Sequence, residues 1–309
     1  MITVSNGRTK KRFDDAWLPY IAAAAGNIIW GFSNTLTQVA ISVAVPQIVL
    51  AIRFLSAIFV MSALIILGKE TLNLRKPCLN RLLALGVIEL VYFYCESYGI
   101  VFTNVTCSGV ILAVSPIIST LFAAIFLREI PTKKQIFFSI VAVAGVIMIT
   151  VSEGIAGEIQ PVGIVLLMGG CICSAVFRVI NRSIAGIYSA FERTYVVLFV
   201  SGVAFSIAGI IHIRGDVTAL AKPLSTLRFW IPVLALGICS SVGANMLANY
   251  AAEKLPVVKI SVFGAICTIC SMTGGILFLH EPVTLMTALG AVFIVFGIWQ
   301  VNKNGEREG

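Results

Sequence analysis

The sequence predicts an all-α integral membrane protein whose ten transmembrane helices form two inverted five-helix repeats. Three observations predict it. Of 309 residues, 59% are apolar and only 12% charged, against about a quarter charged in a soluble domain, so too few charges remain to cover a wet surface. The apolar runs are long, each close to the ~20 residues a helix needs to cross the hydrocarbon core. The two halves of the chain also resemble each other at a spacing of about 152 residues, the sign of an internal repeat.

Residues 1–16 carry Arg8, Lys10, Lys11 and Arg12 and are expected to form a cytoplasmic segment. The apolar run that follows continues to about Ile41. It is longer than the apolar core of a signal peptide and is therefore expected to stay as the first helix. Apolar runs set against charged, Pro or Gly breaks give helices near 17–40, 46–67, 80–101, 103–127 and 132–151. The second five lie near 161–184, 190–211, 228–250, 256–279 and 282–301. The first repeat thus spans 17–151 and the second 152–301, with a cytoplasmic tail at 302–309. Nine prolines (Pro19, Pro46, Pro77, Pro131, Pro161, Pro223, Pro232, Pro256 and Pro282) fall at or near helix ends, where a missing N–H costs least. Pro116 alone is mid-helix, frees the carbonyl of Leu112 and is expected to bend helix 4. Ser115 and Ser119 are placed to satisfy the opened backbone there, as is a substrate.

Lys and Arg set the orientation. With the N-terminus inside, the inner segments hold Lys69, Arg75, Lys76, Arg81, Arg128, Lys133, Lys134, Arg182, Arg193, Lys254, Lys303 and Arg307 as well as the N-terminal cluster. The outer loops hold only Arg214, Lys222 and Arg228. A multi-pass protein of the cell membrane with both termini cytoplasmic is expected. The net charge of +8 does not point to nucleic acid, because the basic residues sit in short clusters with no aromatic-interleaved surface. Seven of the eight cysteines lie in apolar helical stretches. The Cys267/Cys270 and Cys171/Cys173 pairs have no polar redox setting and no His partner, so they read as small packing residues.

Specific matches carry the repeat. Phe126-Leu127-Arg128-Glu129 corresponds to Phe278-Leu279-His280-Glu281, Tyr98 to Tyr250 and Gly145 to Gly297. With one residue of slippage, Leu83-Ala84-Leu85-Gly86 corresponds to Leu234-Ala235-Leu236-Gly237. Five spans per unit is an odd number, so the second copy must enter the membrane upside down, the arrangement used by secondary transporters.

Together with Trp30-Gly31-Phe32, Arg53-Phe54, Ser115-Pro116, Lys133, Gln135, Pro282 and Gly290, these motifs resemble the drug/metabolite transporter (DMT) superfamily, specifically its EamA-type ten-helix members, over about residues 17–301. The resemblance implies two halves packed with pseudo-twofold symmetry around a central cavity lined by helices 1–4 and 6–9, with helices 5 and 10 peripheral. It implies substrates such as amino acids, other metabolites, nucleotide sugars or organic cations. The second half departs from the pattern: Thr268 stands where Pro116 does in the first, and helix 6 lacks the Trp-Gly pair.

An ionisable side chain deep in a membrane needs a reason, since it costs about 2.5–3.5 kcal/mol on insertion scales. Glu89 lies about 13 Å into helix 3, near the midplane, and shares a face with Tyr92, Phe93 and Glu96 at spacings of three, four and seven. That face is an acidic, aromatic wall on which Glu89 binds substrate or a coupling proton, or is a protonated carboxyl hydrogen-bonded between helices. Glu96 and Arg53 lie at matching depths, which predicts a buried ion pair or a gate. In helix 1, Asn27, Trp30, Gly31, Asn34 and Gln38 share one side, and in helix 8 Ser241, Asn245 and Asn249 recur every four residues beside Tyr250. Such amides join neighbouring helices or line a cavity suited to a polar or zwitterionic molecule. Arg178 either snorkels to the interface or meets a substrate carboxylate or phosphate; Lys259 is expected to snorkel, and His212 and His280 to be solvated.

The sequence holds no Walker-type phosphate loop and none of the clustered His, Asp or metal-ligand spacings of an enzyme. No enzymatic activity, cofactor or metal is expected. The expected function is secondary active export of small metabolites or amino acids by alternating access, with protons as the candidate coupling ion. Partners are a small-molecule substrate and the lipid bilayer; monomer and homodimer both stand open. The alternatives are an importer or exchanger of a small metabolite or organic cation and, more distantly, a non-transporting polytopic protein or an intramembrane enzyme.

Overall fold

The computed structural model describes residues 6–115, 117–118, 122, 132–155, 159–213, 221, 223–255, 263–281 and 284–305. These residues form ten helical segments: α1 (Asn6–Ile41), α2 (Pro46–Ile66), α3 (Leu79–Val101), α4 (Val105–Leu112), α5 (Lys133–Ile155), α6 (Pro161–Ile184), α7 (Ala190–Ile213), α8 (Leu227–Lys254), α9 (Gly264–Leu279) and α10 (Leu285–Gly305). Five of them, α2, α3, α6, α7 and α8, are 21–28 residues long and apolar enough to cross a bilayer.

Local chemistry sets the starts. Pro46 and Pro161 occupy the first turns of α2 and α6 after extended residues Val45 and Gln160, where proline's missing donor is harmless. The Asn104 side chain caps α4 by accepting from the Cys107 N–H at 2.7 Å. α9 stops where His280 turns left-handed, at φ 54°. Two expectations are corrected here. α1 begins at Asn6, so Pro19 sits inside it rather than at its end, because only the one bond back to residue 15 is lost and the polar stretch before the apolar run continues as helix. Pro232 likewise lies within α8.

Two irregularities matter for the site. α4 breaks into a turn at residues 113–114, where Val114 N–H bonds three residues back to Ile111. Pro116 and Ser119 lie outside the described residues, as do Lys259 and the Phe126-Leu127-Arg128-Glu129 motif. The middle of α8, Leu236–Ala244, is π-helical, a wide turn that is rare and frequent at functional sites.

Helix ends alternate between two faces. On the face where α1 begins, the near face, Lys76 before α3 pairs with Glu192 at the start of α7 at 2.6 Å. Tyr188 donates to the Lys76 carbonyl at 2.9 Å, and Arg193 of α7 pairs with Glu253 at the end of α8 at 2.8 Å. On the far face, Gln47 of α2 donates to Tyr98 of α3, and the Gln160 N–H donates to the Phe102 carbonyl at 2.9 Å. There the Glu281 carboxylate, beyond α9, accepts from the Val105 and Thr106 N–H groups at 2.8 and 2.9 Å and from the Thr106 hydroxyl at 2.7 Å.

The helix contacts are symmetric between the halves. α1 packs on α9 as α6 packs on α4; α3 packs on α6 and α7 as α8 packs on α1 and α2; α2–α7, α4–α9 and α5–α10 pair across the middle. Exchanging each helix for the one five places on leaves this pattern unchanged, and the odd number gives equivalent helices opposite senses. α5 and α10 meet mainly each other. There a Cβ on Gly145 would lie 2.5 Å from the Gly290 carbonyl oxygen, and one on Gly297 would lie 2.7 Å from that of Phe138.

Close approach through small residues is what holds helices together where lipid removes the hydrophobic drive between them. At Gly31 an added Cβ would sit 2.5 Å from Cys270 Cβ and 2.6 Å from the Cys267 carbonyl oxygen of α9. Gly31→Val should therefore lower the melting temperature of the detergent-purified protein through overpacking worth about 1–3 kcal/mol. Gly186→Ala, with open space within 4 Å, should leave it unchanged; equal melting of both variants would refute the close α1–α9 crossing.

Candidate functional site

A cavity of about 250 Å³ lies between the halves, near the lower end of small-molecule sites, which run about 300–1,000 Å³. Its lining comes from α1, α2, α3, α4, α6, α8 and α9. Among the described residues α7 contributes no lining side chain, contrary to the arrangement implied by the resemblance, because its polar residues act one layer back, as shown below. α5 and α10 stand apart. The cavity reaches from Arg53, Glu96 and Gly109 in the far half to Ala252 and the exposed Arg182 near the ends of α8 and α6, that is, to the near face.

α3 supplies the acidic wall. Glu89, Tyr92, Phe93 and Glu96 all line the cavity, and the Tyr92 hydroxyl donates to Glu96 Oε1 one turn on, at 2.8 Å. Glu89 is 9% exposed and its carboxylate has no hydrogen-bond partner among the described residues. The expected Arg53–Glu96 ion pair is not formed. Arg53, 2% exposed, donates instead from Nε to Ser241 at 2.8 Å and from Nη2 to Ser240 at 3.2 Å. Its guanidinium lies 4.4 Å from the Phe93 ring centroid. The physical reason is proximity: the π segment of α8 brings two hydroxyls to Arg53, while Glu96 already has a donor on its own helix.

The amide ladders are partly realised. Asn27, Trp30, Ser33 and Asn34 of α1 line the cavity. Asn27 donates to the Ala23 carbonyl at 2.8 Å, and Asn34 ties α1 to α9 by donating to Ser271 at 3.1 Å. In α8, Asn245 and Asn249 line the cavity but Tyr250 does not, because the residue after Asn249 points off that face. Arg178 does not snorkel: it lines the cavity and donates from Nη2 to Ser115 and, at 2.9 Å, to Ser174.

One network was missed by the sequence reading. Arg193, counted there as a topological charge, is 1% exposed. It donates to Asn181 Oδ1 at 2.7 Å and to Glu253 at 2.8 Å. Asn181 in turn donates to Asn249 at 3.0 Å, and Asn249 to the Thr194 hydroxyl at 2.8 Å. Since an arginine only donates, it fixes the direction of this chain and so the orientation of two cavity-lining amides. The available signal was the i, i+4, i+7 stripe Ser174, Arg178, Asn181 on α6.

An all-helical membrane bundle of two related halves with a polar, mixed-charge cavity between them is the form of a membrane transporter. The chain belongs to the EamA-like transporter family, which it matches over residues 17–151 and 161–303, as the resemblance implied. It is 29% identical to the uncharacterized transporter YcxC of Bacillus subtilis over 94% of each chain. It is 26% identical to an uncharacterized transporter of Archaeoglobus fulgidus over 91% of this chain and 98% of that one. Identity to the pseudopaline exporter CntI of Pseudomonas aeruginosa is 25% over 78% of this chain and 81% of that one. A solved crystal structure 18% identical superposes with a TM-score of 0.65 over 94% of this chain and 99% of the other; that likeness concerns the fold. The protein is a transporter of the DMT type and not an enzyme.

Removing Arg193 leaves oxygens of Asn181 and Glu253 without their donor, at about 1.5–3 kcal/mol for hydrogen bonds to charged groups. Arg193→Ala should lower the melting temperature, and a double-mutant cycle with Glu253→Gln should be clearly non-additive. Additive losses would reject the pair.

Proposed function

We propose that the protein is a secondary transporter of the cell membrane that exports a small polar metabolite by alternating access, with Glu89 as the site of proton coupling. The observation that carries this reading is Glu89 itself: a carboxyl at mid-depth, open to the cavity and without a hydrogen-bond partner among the described residues. A buried ionisable group inside a bundle marks an ion or substrate pathway, and a carboxyl free of protein partners can give and take a proton as the cavity fills. The symmetric packing of the halves supports alternation, because exchanging the conformations of two related halves carries one central site from one face to the other.

Export is supported by the similarity to the pseudopaline exporter, a substrate that belongs to that protein. The near face, toward which the cavity reaches, carries Lys76, Arg81, Arg182 and Lys254. By the positive-inside rule it is the cytoplasmic side, with the chain ends there. The cavity then stands ready to load from within. Neutral amides on α1 and α8 and aromatic faces on α1 and α3 complete a wall suited to a molecule with polar and apolar parts.

The test is flux in proteoliposomes. A panel of amino acids and small metabolites is first screened by thermal stabilisation, since a ligand of the native state raises the melting point, and hits are then assayed with and without an imposed pH gradient. The wild type should move its solute in response to the gradient. Glu89→Gln, folded and inserted, should lose at least tenfold of the gradient-driven flux while keeping exchange of preloaded solute. Unchanged gradient-driven flux in the variant would reject Glu89 as the coupling site.

A further inference from the structure

Four charged groups line the cavity away from its mouth: Glu89, Glu96, Arg53 and Arg178. Three form one electrostatic group, since Glu89 and Glu96 are the acidic groups acting on Arg53. Arg178 comes from a different helix, α6. The ion pairs among the described residues are Lys76–Glu192 and Arg193–Glu253, so Arg178 has no counter-charge in direct contact.

Its setting is nonetheless built. Ser115 of the broken α4 and Ser174 of α6 both accept from Nη2, and the two hydroxyls lie 3.1 Å apart. They hold one end of the guanidinium and leave the Nε–H and the Nη1–H groups without an acceptor among the described residues. Arg178 lies six residues before the end of α6, about 9 Å of helix, yet bends toward the cavity rather than out to the interface. A guanidinium held in place with its Nε–H and Nη1–H donors unspent can give an oxyanion charge-assisted hydrogen bonds. An uncompensated cation at this depth is costly without an anion.

We propose that Arg178, held by Ser115 and Ser174, is the subsite for an oxyanion, a carboxylate or phosphate group carried by the transported molecule. The proposal rests on the transporter reading and deepens it. The substrate then carries an acidic group at the Arg178 end, and any basic group it has falls to the Glu89 and Glu96 end. Arg178 selects for the acid; Ser115 and Ser174 position it.

The experiment is thermal stabilisation of the detergent-purified full chain by a defined panel: alanine, propionate and inorganic phosphate as acid-bearing probes, alaninol and 1-aminopropane as probes that lack the acid. Acid-bearing probes should stabilise the wild type, and comparison of alanine and propionate with phosphate separates the two oxyanion classes. Arg178→Gln should raise the concentration needed for half the shift at least tenfold for acid-bearing probes and leave any response to the amines unchanged. Arg178→Lys, which keeps the charge and loses the planar guanidinium that the two serines hold, should fall between. Ser174→Ala, a milder change, should weaken the acid response several-fold and serves if the arginine variants do not fold. Equal responses of the wild type and these variants to the acid-bearing probes, or no response of the wild type to any of them, would overturn the subsite. Flux of a bound probe in proteoliposomes separates the two readings: Arg178-dependent binding without flux sinks transport and keeps the subsite, whereas flux with unaltered selectivity in Arg178→Gln does the reverse.

Discussion

A guanidinium surrounded by hydrocarbon must find donors' partners within the protein, because lipid offers none, and Arg53 finds them across the boundary between the halves. It starts on α2 and ends on Ser240 and Ser241 of α8, beneath the faces of Phe93 and Phe54. Much of the bundle is arranged around that reach. Gly237 lets α8 come against Ser56 and the Arg53 carbonyl, where an added Cβ would overlap both, and the π segment widens α8 enough to present two hydroxyls in succession. Phe54 stacks on Phe205 of α7 at 5.8 Å and meets Phe93 of α3 edge-on at 5.0 Å, so the cation and its aromatic neighbours bind four helices into one core.

The positions of the spans were legible because they depend on a local quantity, the length of an apolar run between charges, prolines and glycines. The acidic wall of α3 was legible for the same reason, since Glu89, Tyr92 and Glu96 share a face by helical arithmetic alone. Partners across the bundle were not. Nothing near Arg53 in sequence announces that its hydrogen bonds go to residues 187 and 188 positions away, and a π turn leaves no signature in composition. Arg193 was misread because a charge near a helix start looks the same whether it faces water or a buried Asn181. Tyr250 was placed at the ladder by adjacency alone, and the residue after Asn249 points off the face that meets the cavity.

The halves are thus symmetric in packing and asymmetric in chemistry. α3 and α8 are equivalent by their neighbours, yet α3 faces the cavity with two carboxylates and α8 with two amides, of which Asn249 is oriented from behind through Asn181, Arg193 and Thr194. α4 and α9 are equivalent too, but α4 breaks at residues 113–114 while α9 continues unbroken from Gly264 to Leu279. The cavity carboxylates and the broken helix both fall in the first half, and the second presents amides and Arg178 to them.

The carboxylate of Glu281 gathers three donors from the first turn of α4, and the Thr106 hydroxyl and Glu281 crowd Gly275 so closely that no side chain fits there. Ser271 of α9 adds a bond to the Val105 carbonyl at 3.2 Å, but the three donors to Glu281 all converge on two oxygens of one residue. Such a clasp has no intermediate setting: a small tilt of α4 against α9 keeps the bonds, and a larger one releases them together. Separation of the far ends of these two helices is therefore a step with a threshold, cooperative by construction.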